Sequence, residues 1–163
     1  MGKLVPSFDV RAFPADEHYT AETPEKTVAG IAERKLEAAS SAFGEYDAVV
    51  ACDTLVYMDG KYYGKPTDEK DAERMLTELS GKTHTVYSGV AVYKGGKRET
   101  RVAATNVTFK RLGLEEIREY ISSHPVLDKA GAYAVQDGVV VEKYDGSYTN
   151  IVGLPLETLA DML

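Results

Sequence analysis

Two long segments of alternating polar and apolar residues, His84–Lys94 and Lys97–Lys110, are joined by Gly95-Gly96. Alternation sends successive side chains to opposite faces of a strand, and a glycine pair supplies the positive φ that a two-residue turn requires. The chain therefore holds a long antiparallel hairpin, and the remaining elements have to cover at least one of its faces.

The candidates for that cover are helical. Thr23-Pro24-Glu25 reads as an N-cap, a first-turn proline and an acid at the positive helix end. Val28, Ile31, Ala32, Leu36 and Ala39 then recur at helical spacing to about Ala42, before Gly44. Asp68–Leu79 places Ala72, Met75, Leu76 and Leu79 on one face and is stopped by Gly81. Leu114–Ser122 forms a third helix, ended by His124-Pro125, and a last one is predicted near Leu156–Leu163.

Further strands are predicted at Phe8–Phe13, ahead of a polar loop over Pro14–Glu22, and at Val139–Tyr144. Ala48–Cys52 is a small apolar run expected to be buried on both faces, ending at Asp53. A hairpin of Leu55–Met58 with Lys61–Tyr63 is expected around Asp59-Gly60, and Gly131–Gln136 is read as extended. The predicted fold is mixed α/β (α+β), a long twisted mixed sheet flanked by helices. A single domain over residues 1–163 is the simplest organisation, with the middle hairpin as the one piece able to form a separate lobe.

Charge and composition narrow the function classes. Nineteen Lys and Arg against 26 Asp and Glu leave a formal charge of −7, which disfavours a nucleic-acid polymer as partner but not a small anion held by a few lysines. The single cysteine, Cys52, makes no intrachain disulfide, and His18, His84 and His124 show no zinc-ligand spacing, so a cytoplasmic location is expected. The sequence contains no apolar run of membrane-spanning length and no signal-peptide core, so no membrane partner is expected.

Polar residues that interrupt apolar or turn segments are the candidates for chemistry. Asp53 ends an apolar strand, where a carboxylate either caps a turn or meets a cation. Lys65, held in Gly64-Lys65-Pro66, is either a loop lysine or a phosphate contact. Lys35 lies at the edge of an apolar helix face, where a packed stem with a solvated ammonium is as good a reading as a ligand contact. Glu17, beside Asp16, is either solvated charge or part of a metal site. Asp128–Tyr133 with Gln136 is small-sided enough for a ligand to approach the backbone. Cys52 is read as a small buried hydrophobe, because no histidine partner can be assigned to it.

Ala51-Cys52-Asp53-Thr54-Leu55-Val56, Gly64-Lys65-Pro66, Leu79-Ser80-Gly81-Lys82-Thr83-His84, Asp128–Tyr133 with Gln136, Gly146-Ser147-Tyr148 and Val152–Leu156 together resemble the Maf family of nucleoside triphosphate pyrophosphatases. That resemblance implies a fold like that of the inosine triphosphatases, with an elongated mixed sheet, two lobes around a nucleotide cleft, and often a homodimer. It implies hydrolysis of a nucleoside triphosphate to monophosphate and pyrophosphate with a divalent cation, Mg or Mn. The Gly-Ala-Tyr-x-x-Gln form resembles the branch acting on dTTP and UTP. By motif position, Asp53 is the main catalytic carboxylate and Glu17 assists at the metal. Lys35 and Lys65 meet phosphate, Gln136 lies near the substrate, and Thr54 supports the substrate loop. Two other readings accompany this one: a noncatalytic nucleotide-binding or septum-formation regulator, and an inosine-type purine triphosphatase.

The family's opening Ser-x-Ser-x-Arg-Arg signature has no counterpart here, as if about 15 to 20 residues, a strand and a helix, were missing. Those serines and arginines grip phosphate in the family. This chain is therefore expected to bind triphosphate more weakly than a full-length relative, and equal affinities of the two by calorimetry would refute that expectation.

Overall fold

A computed structural model describes residues 1–20 and 22–163. Ala21, inside the loop expected over Pro14–Glu22, lies outside the described residues. The chain is mixed α/β, a five-stranded sheet flanked by helices. The elements are α1 (Pro24–Ala38), β1 (Ala48–Met58), β2 (Lys61–Tyr63), α2 (Glu69–Leu79), β3 (Thr83–Lys94), β4 (Lys97–Phe109), α3 (Leu114–Ser123), β5 (Val141–Asp145), α4 (Tyr148–Val152) and α5 (Leu156–Ala160). The strands lie in the order β2-β1-β3-β4-β5. Every pairing within the sheet is antiparallel, so the sheet is not the mixed one expected; β1–β2 and β3–β4 join through tight turns, β1 reaches β3 by way of β2 and α2, and β4 reaches β5 by way of α3.

The turn chemistry behaves as the sequence dictates. Asp59 and Gly60 take φ of 50° and 81° between β1 and β2, and Gly95 and Gly96 take 56° and 78° between β3 and β4. Thr23 caps α1 by accepting from the Lys26 amide, and Asp68 caps α2 by accepting from the Asp71 amide.

Several expectations need correction. Phe8–Phe13 is not a strand; no ladder partner reaches it among the described residues, and Phe8 and Val10 are exposed. Side chains pin it instead, Arg11 to Glu45 and Tyr46, and Asp9 to the Tyr46 hydroxyl. Asp53 does not end a strand, because β1 continues through it to Met58. Ala48–Cys52 is half-buried, since β2 pairs only with Val56–Met58 and the remaining edge of β1 has no partner strand among the described residues. Gly131–Gln136 is not extended but folds into two short 3₁₀ turns, Ala130–Ala132 and Val135–Asp137. The final helix is shorter than expected and is preceded by α4, which the sequence reading missed.

Alternation along β1 and β3 divides the core between the two faces of the sheet. On one face, Ala32 and Leu36 of α1 pack against Ala51, Ala91 and Tyr93. On the other, α2 and α3 cover Val56, Val86, Val107 and Phe109, while Leu159 and Met162 near the C-terminus cover Val90 and Val92.

His84 is buried in the larger cluster. Its Nε2 lies 2.8 Å from the Tyr133 hydroxyl, and both rings pack edge-on to Phe109. Burial alone lowers its pKa from 6.5 to about 4. The unfolded chain therefore takes up this proton at a higher pH than the native one, so the native state loses stability as pH falls from about 6.5 towards 4. Over that interval the loss from this group is on the order of 3 kcal/mol. Urea unfolding from pH 7 to pH 4 should show this decline, and His84→Gln should flatten it.

Candidate active site

Asp53 sits midway along β1, directly opposite Gly89 of β3, on the face covered by α1. The register explains how the helix reaches it. A Cβ built on Gly89 would stand 2.5 Å from the Val28 carbonyl oxygen, so the α1 backbone lies against the sheet at a point only glycine leaves open. Lys35, two turns further along α1, then delivers its ammonium to the Asp53 carboxylate at 2.7 Å. The same Nζ lies 3.0 Å from Glu17 Oε1, so one ammonium bridges two carboxylates.

Glu17 belongs to a loop without regular structure, and Arg34, the neighbour of Lys35, holds that loop in place. Its guanidinium donates to the Asp16 carbonyl at 2.8 Å and to the His18 carbonyl at 3.1 Å, gripping the backbone on both sides of Glu17. Sequence reasoning did not single out Arg34 or Gly89. A helical arginine beside a candidate lysine is a faint signal, and a strand glycine opposite a candidate acid is a better one.

Burial raises the Asp53 pKa, and the bond to Lys35 only partly offsets it. Burial also opposes the charge on Lys35, but its hydrogen bonds to Asp53 and Glu17 outweigh burial and hold the ammonium protonated. The Asp53 side chain is 12% exposed and that of Glu17 56%, so the pair has a dry end and a wet end.

The other face of β1 contributes different groups. Thr54 is hydrogen-bonded to Ser88 at 2.7 Å and donates to the Gly153 carbonyl, which also accepts from the Cys52 thiol at 3.2 Å. Gly153 follows α4, which Ser147 caps and the buried Asn150 anchors by donating to the Val86 carbonyl and the Thr105 hydroxyl. The signal for α4 is present in the chain, a serine three residues ahead of Asn150 and a glycine after the last turn. Burial pushes the Cys52 thiol up to about 12, which suits its reading as a non-nucleophile.

These groups surround a cavity of about 310 Å³ that wraps the unpaired edge of β1. Lys35, Asp53, Lys65, Asp128 and Lys129 supply its charged wall, and Val56, Tyr133 and Ile151 an apolar one. Lys65 arrives through a tether, the Gly131 amide donating to the Gly64 carbonyl at 3.1 Å. Of the residues singled out from sequence, Asp53, Lys35, Lys65 and Thr54 line this cavity together with Cys52 and most of the Asp128–Tyr133 run, and Glu17 joins through Lys35. Gln136 is not among them; it is exposed on the Val135–Asp137 turn and forms no part of the cavity wall. No cluster of three or more metal-ligating His, Cys, Asp or Glu occurs among the described residues.

The family profile described as Maf-like protein matches residues 1–163. The chain belongs to the Maf family. Three Maf relatives carry the name dTTP/UTP pyrophosphatase. That of Latilactobacillus sakei is 40% identical, the match covering 99% of this chain and 90% of the relative. That of Geobacter sp. (strain M21) is 45% identical over 94% of this chain and 82% of its own length. The Pyrococcus abyssi protein is 37% identical over 96% and 85%. Four of the motifs by which the chain resembles the Maf family, Ala51–Val56, Gly64-Lys65-Pro66, Asp128–Tyr133 and Val152–Leu156, thus contribute residues to the cavity wall, and Leu79–His84 and Gly146-Ser147-Tyr148 do not.

Gly89→Ala should separate packing from chemistry. The added methyl has to push the α1 backbone off the sheet, and overpacking of this kind costs about 1–3 kcal/mol. Chemical denaturation should show that loss, and a variant as stable as the parent would disprove the close approach.

Proposed function

We propose that the chain is a nucleoside triphosphate pyrophosphatase acting on dTTP and UTP, with Asp53, Lys35, Lys65 and Glu17 as its working residues. The observation that carries this reading is the ammonium of Lys35 set between two carboxylates inside a cavity that also holds Lys65. The relatives' shared name supports the substrate class.

The chemistry asks for three things: neutralisation of a triphosphate, a water aimed at the α-phosphorus, and a group to take that water's proton. Lys35 and Lys65 meet the phosphate oxygens as point charges. Asp53, mostly withdrawn from solvent, orients the water and accepts its proton as the new P–O bond forms and the bridging oxygen leaves with pyrophosphate. Its raised pKa makes it a stronger base than an exposed aspartate. Thr54, tied to Ser88 and Gly153, fixes the adjoining wall against which the nucleoside rests.

The donor set suits a divalent cation such as Mg or Mn. Asp53 and Glu17 present hard carboxylate oxygens to one point, and Mg is commonly held by one or two carboxylates together with substrate phosphates. Such an ion, when bound, draws charge from the phosphate oxygens and lowers the pKa of a coordinated water. The free thiol of Cys52 agrees with work in a reducing cytoplasm. Among the described residues no helix is long and apolar enough to cross a membrane.

The test is turnover against dTTP, UTP, CTP and ITP, with monophosphate and pyrophosphate scored separately. Asp53→Asn should lower kcat by about 10²- to 10⁴-fold, the range of a lost general base. Release of single phosphate, or full turnover by Asp53→Asn, would exclude the reading.

A further inference from the structure

We infer that Lys35 is the resident counter-ion of the position between Asp53 and Glu17, and that it yields this place to a divalent cation only as the nucleotide's phosphates arrive to take up its ammonium. This rests on the proposed role of the two carboxylates as the cation's ligands.

The geometry carries the exchange. The Lys35 ammonium lies 2.7 Å from Asp53 and 3.0 Å from Glu17, where a cation shared by the two carboxylates would sit. The backbone that carries each carboxylate is held by contacts other than Lys35. The main chain of Asp53 is set by the β1–β3 ladder opposite Gly89, and that around Glu17 by the bonds of Arg34 to the carbonyls of Asp16 and His18. Without the ammonium, two carboxylates would face one point with no charge between them, a stronger cation site than the one present. Among the described residues no third ligating side chain joins them, so a cation binding there needs oxygens from elsewhere, and the triphosphate provides them.

The displaced lysine has somewhere to go. Its side chain is 25% exposed and lines the same cavity as Lys65, and its four-carbon stem turns freely enough to follow a phosphate. Cation and nucleotide therefore bind with positive coupling, each raising the other's affinity by the same factor. The free protein, with its carboxylates already paired, holds a divalent cation weakly.

Mn²⁺ titrations of the full chain, followed by calorimetry and by the electron paramagnetic resonance of free Mn²⁺, test this without turnover. The parent should bind Mn²⁺ weakly alone. It should bind at least tenfold more tightly with α,β-methylene-UTP, after correction for Mn²⁺ held by the analogue in solution. Lys35→Met should bind Mn²⁺ alone at least tenfold more tightly than the parent while its turnover falls, an opposite movement that loss of structure does not produce. Lys35→Arg, which keeps the charge, should stay weak, and Lys35→Gln replaces the methionine variant if that one does not fold. If removal of the ammonium leaves Mn²⁺ affinity unchanged while Asp53→Asn still weakens binding with the analogue, the counter-ion role is overturned and the cation site stands. If Asp53→Asn and Glu17→Gln leave Mn²⁺ binding untouched in every background, both fall together.

Discussion

The approach of α1 to the sheet at Gly89 is the contact on which the charged side of the molecule depends. The Val28 carbonyl occupies the space that a Cβ of residue 89 would need, and this sets the depth of the whole helix. At that depth Ala32 and Leu36 reach Ala91 and its neighbours, and Lys35 comes within hydrogen-bonding distance of Asp53. A helix standing further out would leave the carboxylate buried without its ammonium, an arrangement that costs several kcal/mol in a dry site. Close packing and charge pairing here are one constraint, since the small residues that admit the helix also admit the ion pair.

The opposite face of β1 is organised by polar contacts rather than by depth. A seam of Thr54, Ser88, Thr105 and Asn150 runs across the sheet between two apolar clusters. Buried hydroxyls and amides are expensive unless paired, and α4 supplies partners to the seam through the Nδ2 and the carbonyl of Asn150, while the Asn150 Oδ1 is itself left buried without one. Seating α4 there brings the Gly153 carbonyl onto Cys52 and Thr54 and closes one side of the cavity. Strand β1 is thus used on both faces: charge on one, hydroxyl and apolar surface on the other, with its unpaired edge between them.

Much of the secondary structure was legible because its signals are local. Asp59-Gly60 and Gly95-Gly96 specify their turns by backbone preference alone, and Thr23 and Asp68 announce the helices they cap. Phe8–Phe13 has a strand's alternation but no strand beside it among the described residues, and alternation cannot supply a partner. The small residues of Ala130–Gln136 resemble an extended segment, yet Gly131 at φ 71° and Ala132 at φ 62° turn it sharply to bring Tyr133 into the core. The run ending at Cys52 read as fully buried because hydrophobicity carries no record of how many neighbours a strand has.

By itself the sequence determined the three longer helices, the two tight hairpins, the family and the residue types that its chemistry uses, because these follow from short-range preference and from ordered motifs. Only the tertiary structure decided which of those residues meet. Glu17, Lys35 and Asp53 are separated by eighteen residues at each step and converge on one ammonium, while Gln136, equally prominent as a motif residue, stays outside. The difference lies in strand register, in the depth of α1 over Gly89 and in the grip of Arg34 on a loop. Each of these is a contact between segments far apart in the chain, and no periodicity or spacing encodes such a distance.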